Sequence, residues 1–400
     1  MRQVERMATR KAKEVYGHIR AKGTISKVDL KELTGLTTST LTRLLEELVQ
    51  EGWIEEVGFG ESRGGRRPIL YRTNARYAYV FGLEISRSVS RLLLCDLHLN
   101  KLAAEVWPMN RYMTPERLME EVVRSIDAMM REHGLESRSM LGLGIGAVGP
   151  LNREGGIILN PMHFAAAGWL NVEIGPMLER QLGFPVHIDN GANAALLGEY
   201  WTQASSGIRH LLYVHAGVGL RSAMIMGGEI MYGAVDMEGA VGQMIIQADG
   251  PPSRQEGGNC GSWETYVSAY ALQQGAKRGL KLGRETLLRG MVTRPEEVTY
   301  PMLERALAQG DEMVRELFLQ AASYFGIGLS NLLNILHPEK VVLGGPLVSG
   351  NDLFFEQAVR VARSKTYHYP QYDVTFEQSG LGDDAVATGA AAFMLKKATE

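Results

Sequence analysis

The sequence predicts a two-part chain: a small basic helical head with a two-stranded ribbon, then a larger α/β body. Three observations carry this. Charge is uneven, because residues 1–76 hold 15 Lys+Arg against 10 Asp+Glu while the remainder holds 27 against 35, so a +5 head precedes a −8 body. The head shows short apolar periodicities of helical spacing closed by glycines. Beyond residue 77, strand-like runs alternate with helical segments, the pattern of an α/β domain. The 400 residues, 45% of them hydrophobic and 22% charged, are enough to bury a large core, which excludes a disordered or coiled-coil chain. Two cysteines, Cys95 and Cys260, exclude a disulfide framework and fit a reducing cytoplasm. No apolar N-terminal stretch reads as a signal peptide. The most apolar later run, 211–226, is interrupted by His215 and Arg221, which argues against a membrane span.

Each element of the head follows from its residues. Residues 9–22 predict a helix with Val15, His18 and Ile19 on one face and Gly23 as its stop. A second helix over 27–34 is expected to turn Val28, Leu30 and Leu33 inward, and Gly35-Leu36 makes a tight turn. A third begins at 37–40, where Thr37 or Thr38 caps the first amides. Leu41, Leu44, Leu45 and Leu48 then form a buried stripe. Thr38, Ser39, Thr42 and Arg43 lie at the start of this helix, where a recognition helix meets base edges in a major groove. Two apolar strands, 53–57 and 68–72, flank a glycine-rich loop that carries Arg63, Arg66 and Arg67. Such a loop is a wing whose arginines pair with phosphates or enter a minor groove. A three-helix interaction module with a solvated loop is the alternative, but the order of these features favours a winged helix-turn-helix over 1–76 that binds double-stranded DNA.

Residues 74–77 form the junction to the body, which occupies 77–400. Runs 80–85 and 91–97 predict a hairpin, and 141–147 predicts a strand ending in Gly149-Pro150. Residues 186–189 precede a helix over 193–201. Strand 211–215 leads into Gly217-Val218-Gly219, and 341–343 into Gly344-Gly345-Pro346. Repeated strand-then-glycine junctions place backbone close to ligands, although tight turns also use them.

At this point the chain resembles the ROK family of repressors and sugar kinases, in the subclass with an N-terminal winged helix. In the head, the resemblance lies in residues 35–44 and 60–68. In the body it rests on Gly144-Ile145-Gly146-Ala147-Val148-Gly149-Pro150, Asn160-Pro161 with Gly168-Trp169, residues 193–199, and Val342-Leu343-Gly344-Gly345. The resemblance implies a two-lobed actin-like ATPase (ribonuclease H-like) body around a cleft. It also implies a transcriptional regulator, a repressor of carbohydrate-related genes reading a palindromic operator as a homodimer or tetramer.

The kinase parts of the family pattern are altered. The family's catalytic Asp follows the Asn of an Asn-Asp-Ala-Asn motif, and Asn190-Gly191-Ala192-Asn193 places Gly191 there. Glycine cannot accept a proton, and Asp189, two residues upstream, would stand roughly 7 Å away along a strand. The first phosphate loop, Asp-x-Gly-Gly-Thr in family kinases, reads Glu84-Ile85-Ser86-Arg87-Ser88. The second retains Gly217 and Gly219 but ends in Arg221, which either attracts an anion or serves as ordinary surface. No catalytic residue is therefore expected, and ATP is not expected as a cofactor. The family's zinc positions hold Gln243, Gln255, Gly257 and Ser262, so zinc is not expected either. Cys260 falls at a non-ligand position and reads as a free thiol.

Carried over by position, the sugar-contacting residues retained are Asn160, Asn190 and Glu264, with Gln243 at the histidine position. Gly191 and Ala240 replace the two carboxylates, and each unmatched hydroxyl costs about 1–3 kcal/mol. Trp169 and Trp263 are either stacking surfaces or core. The cleft either senses a sugar or derivative through Asn160, Asn190, Gln243 and Glu264, or is a relic. An active sugar kinase with a fused DNA-binding domain, or a protein-interaction scaffold, are the competing readings. Apolar, aromatic-bearing residues 317–336 serve either as an oligomer contact or as protomer core.

Overall fold

The computed structural model describes residues 7, 9–61, 67–203, 207–237, 239–254 and 257–399. The chain divides into two compact units, Met1–Gly207 with Asp384–Glu400, and Ile208–Asp383.

In the first unit, α1 (Arg10–Lys22) starts where the Thr9 side chain accepts the Ala12 amide, and ends at Gly23 with φ of 70°. β1 (Ile25–Ser26) leads into α2 (Lys27–Thr34), capped by Ser26 and closed by the left-handed Gly35. α3 (Thr38–Glu51) is capped by Thr37, and β2 (Ile54–Phe59) and β3 (Ile69–Thr73) follow. They form a small antiparallel sheet in the order β1-β3-β2. Leu41, Leu44, Leu45 and Leu48 are buried as their spacing requires, and so are Val15, Ile19 and Leu30 on the helices that α3 contacts, and Trp53.

One expectation for α2 is corrected. Only Leu30 is buried in that helix, while Val28 is 58% and Leu33 47% exposed. Val28 lies two residues before Leu30, about 200° around the helix axis, so the two cannot share a face. Leu33 sits in the last turn beside the Gly35 stop, at the open end of an eight-residue helix. His18 of α1 is likewise only partly buried.

The first unit continues through β4 (Tyr79–Ile85), β5 (Val89–Asp96), β6 (Lys101–Pro108), α4 (Pro115–Glu132) and β7 (Met140–Ala147). Next come β8 (Leu151–Asn152), β9 (Ile157–Ile158), α5 (Ile174–Leu182), β10 (Val186–Asn190) and α6 (Gly191–Thr202). β4, β5 and β6 form an antiparallel meander, and β7 and β10 add parallel to β4, giving the order β10-β7-β4-β5-β6.

The second unit repeats that scheme. β11 (Leu211–Ala216), β12 (Leu220–Met226) and β13 (Glu229–Ile230) form the meander. Helices α7 (Trp263–Tyr266), α8 (Ala269–Lys281), α9 (Tyr300–Ala308) and α10 (Glu312–Leu336) follow. β14 (Lys340–Gly344), α11 (Asp352–Lys365) and β15 (Thr375–Gln378) complete the sheet, in the order β13-β12-β11-β14-β15. Both sheets thus carry a ribonuclease H-like arrangement, three antiparallel strands followed by two parallel ones. The 211–226 run is an interior hairpin, and no helix among the described residues is long and apolar enough to cross a membrane. Residues 317–336 belong to α10, whose Phe318, Phe325, Leu329 and Leu333 sit in the unit's core, so protomer core accounts for most of that apolar run.

The chain then returns to the first unit as α12 (Ala385–Thr399). This helix lies so close to the sheet that a Cβ on Gly82 would stand 1.9 Å from the Ala387 carbonyl oxygen, and one on Gly144 1.7 Å from that of Ala390. Only glycine fits at these two strand positions.

Candidate DNA interface and effector site

In the head, Thr37 Oγ1 accepts the Thr40 amide at 3.3 Å, which fixes the start of α3 and leaves Thr38 and Ser39 exposed. Thr42 donates to the Thr38 carbonyl at 2.6 Å and receives a hydrogen bond from Lys27 Nζ of α2. Arg43 is exposed and pairs with Glu47 at 2.6 Å. Such an exposed i,i+4 pair contributes only about 0.3–0.5 kcal/mol, so the guanidinium exchanges readily to a phosphate. The four predicted residues therefore occupy one end of one helix. Lys27 belongs with them and was not singled out by sequence, because the 15-residue separation from Thr42 hides the contact. At the base of the wing, the Gly60 amide donates to the Pro68 carbonyl at 2.8 Å, and Arg67 is exposed. Arg63 and Arg66 lie outside the described residues.

In the body of the first unit, Ile85, Ala147 and Asn190 are register partners across β4, β7 and β10. The segments that follow them leave one carboxyl edge of the sheet, where open α/β sheets bind ligands. Asn190 caps α6 through its side-chain oxygen, which accepts the Asn193 amide at 2.8 Å. Asp189, 1% exposed, accepts the Asn190 amide at 2.7 Å and the Asn193 side-chain amide at 3.0 Å, with the Arg153 guanidinium 3.8 Å away. Its carboxylate organises the turn into the helix. Gly191 is the first helical residue. Asn160 is exposed in the segment after β9. Arg87, in the altered first phosphate loop, donates from Nε to the Met162 carbonyl at 2.8 Å. Trp169 is core: it stacks on Phe164 with centroids 4.7 Å apart and donates to the Met113 carbonyl.

In the second unit, the Glu264 carboxylate accepts the Leu220 amide at 3.0 Å, and a Cβ on Gly219 would stand 2.5 Å from it. The Gly217 amide donates to the Gly219 carbonyl at 3.1 Å. Two amides of the second phosphate loop are thus already engaged within the protein. Gln243 joins its own turn to the following loop: its side-chain oxygen accepts the Asn259 amide at 3.0 Å, and Asn259 Nδ2 donates to the Gln243 carbonyl at 2.8 Å. Ile246 to Gly261 and Trp263 to Met244 backbone bonds close the same loop. Ordinary hydrogen bonds connect the segments that the family's zinc positions would tie together, and Cys260 is an exposed free thiol. Among the described residues no group of three or more His, Cys, Asp or Glu side chains is placed to hold a metal. Gln255 lies outside them. Trp263 is fully buried, stacked on Phe325 and bonded to the Tyr324 carbonyl, so it too is core.

A winged helix joined to a duplicated ribonuclease H-like sheet defines a DNA-binding regulator built on a sugar-kinase scaffold. The chain belongs to the ROK family, whose model matches residues 80–397, and a winged helix-turn-helix DNA-binding model matches residues 9–55. It is 29% identical over 371 residues to the xylose repressor of Caldicellulosiruptor bescii, covering 93% of this chain and 92% of that protein. A glucokinase of Halalkalibacterium halodurans is 27% identical over 285 residues, 70% of this chain and 84% of that enzyme. Among solved structures, a ROK-family transcriptional regulator homologous to the Escherichia coli Mlc protein matches with a TM-score of 0.79 at 23% identity, covering 97% and 96% of the two chains. That likeness extends the shared fold to nearly the whole chain.

Proposed function

We propose that this chain is a sequence-specific repressor of carbohydrate-related genes whose kinase-like body senses a sugar or sugar derivative without phosphorylating it. The observation that carries the reading is the capped, exposed start of α3, with Thr38, Ser39, Thr42 and Arg43 presented together on a ROK-family body. The protein acts in the cytoplasm as a homodimer or tetramer on a palindromic operator, because paired heads matching half-sites multiply a weak single contact. Asn160 and Asn190 in the first unit, and Gln243 and Glu264 in the second, are the effector contacts of this reading. Loss of catalysis is supported by Gly191 at the base position and by Asp189, whose buried carboxylate is committed to the Asn190 and Asn193 amides. Independence from zinc is supported by the Gln243–Asn259 bonds, and independence from ATP by Arg87 and by the engaged loop amides at Gly217 and Leu220.

The test is binding of the full chain to the upstream region of its own gene over a salt series, with and without D-xylose, beside an ATP-turnover assay. The expected outcome is salt-dependent specific binding altered by sugar, no phosphotransfer, and the same Tm with or without a chelator. Clear turnover of ATP with any sugar would establish the fused-kinase reading instead. Specific DNA binding that no sugar alters would leave a repressor with a relic cleft.

A further inference from the structure

Two helices of the first unit, α6 and α12, lie locked together and both end on the head. A Cβ on Gly389 of α12 would stand 1.6 Å from the Ala194 carbonyl oxygen of α6, so backbone meets backbone where they cross. α6 is buried along almost its whole length. At its far end is Trp201, 7% exposed, with the Arg20 guanidinium of α1 lying 3.6 Å above its ring centroid. At the end of α12, the Ala398 carbonyl accepts the Met7 amide, which lies just before α1, at 3.2 Å. The cap of α6 is Asn190, on the edge where the segments after β4, β7 and β10 leave the sheet. At 1.5 Å per residue, α6 spans about 18 Å from that edge to the head.

We infer that α6 and α12 form a rigid pair that sets the position of the DNA-reading head, with Arg20 on Trp201 as its clamp, and that effector binding at Asn190 reaches the head through it. Arg20 and Trp201 are positioning residues. Neither belongs to α3 or the wing, and both act by fixing α1, the helix against which the α3 stripe packs. A guanidinium on an indole face is a directional contact, so shifting or tilting α6 moves the point on which α1 rests. A coupling of this kind needs an element packed too tightly to deform, and the Gly389–Ala194 crossing supplies one. The transmission half of the inference rests on the effector site proposed above; the positioning half does not.

The experiment uses the full chain and a duplex carrying the upstream region of its own gene, with D-xylose as the probe. Arg20→Met retains the stem and removes the charge, Arg20→Lys restores a cation, and Trp201→Phe retains a smaller ring face. Arg20→Met is expected to weaken DNA binding about tenfold at an unchanged salt slope, and to bring the ratio of affinities with and without D-xylose to one. Arg20→Lys and Trp201→Phe are expected to recover part of both. Wild-type affinity in Arg20→Met overturns the inference. A salt slope lowered by about one unit also overturns it, because Arg20 would then be a phosphate contact. An affinity loss that retains the D-xylose ratio confirms positioning and overturns transmission. If the wild-type protein itself ignores D-xylose, the proposed sensing of this sugar fails, while the affinity and slope of Arg20→Met still decide the positioning role. Matching far-UV CD and Tm across the variants separates these outcomes from misfolding.

Discussion

His187 sits on β10 two residues before Asp189, with Lys397 Nζ 2.7 Å from its Nδ1 and Phe393 edge-on to its ring. Burial first, then the positive charges of Lys397 and Arg153, lower its pKa from 6.5 to about 4. Well above pH 6.5 the imidazole is neutral in folded and unfolded chains alike and adds no pH dependence. As pH falls from 6.5 towards 4, the unfolded chain takes up a proton that the folded one refuses, so stability drops through that window and levels off below it. The loss is on the order of 2 kcal/mol once residual exposure is allowed for. His187→Gln should flatten this part of the profile, measured as urea unfolding at several pH values between 4 and 7. An undiminished slope in the variant would assign the effect to other groups. The same scale shows where sequence stops being informative. Asn190 and Gln243 were legible as positions, but their bonds to Asn193 and Asn259 were not, since side-chain partners depend on how loops fold back.

At the scale of elements, identical substitutions should have opposite signs. Gly17 lies inside α1, and a Cβ built there meets nothing within 4 Å. Gly17→Ala should therefore stabilise the head by about 0.5–1 kcal/mol, because alanine loses less backbone entropy in a helix. Gly144 on β7 faces the Ala390 carbonyl, and its Cβ would fall 1.7 Å from that oxygen. Backbone cannot rotate away as a side-chain tip can, so Gly144→Ala must part α12 from the sheet, at about 3 kcal/mol or more. Equilibrium unfolding of both variants decides the matter, and a Gly144→Ala protein as stable as wild type would refute the packing argument. Local signals served well here: the threonine cap of α3, the Gly23 stop, the Gly35 turn and the leucine stripe of α3 depend only on near neighbours. Val28 misled because helix spacing sets it about 200° from Leu30, and Leu33 because it falls in the last turn of a short helix, beside the Gly35 stop. The close approach behind Gly82 and Gly144 stayed hidden, since its partner is α12, some 250–300 residues away along the chain.

At the scale of the whole molecule, the two-lobed body was legible only through the family resemblance, because unrelated residues build the two copies of the sheet. Chain connectivity now sets which pieces can stand alone. The second unit is one continuous segment, Ile208–Asp383, and its core closes on itself around Trp263, Phe318, Phe325, Leu329 and Phe354. The first unit is discontinuous: its α12 arrives only after the second unit is complete, and buries Ala387, Ala390, Ala391 and Phe393 against β4, β7 and α6. A fragment of residues 208–383 should therefore unfold cooperatively on its own, since it retains every strand of its sheet and all of that core. A fragment ending at residue 207 should not. Without α12, the glycine-bearing face of its sheet is left open, because Gly82 and Gly144 provide no side chains to cover it. Joining residues 384–400 to that fragment through a flexible linker restores the missing helix and should restore a sharp thermal transition, with loss of ANS binding. If the fragment without α12 melts as sharply as the one with it, the helix is an addition to the fold rather than part of its core, and the α6–α12 pair could not act as a rigid support for the head.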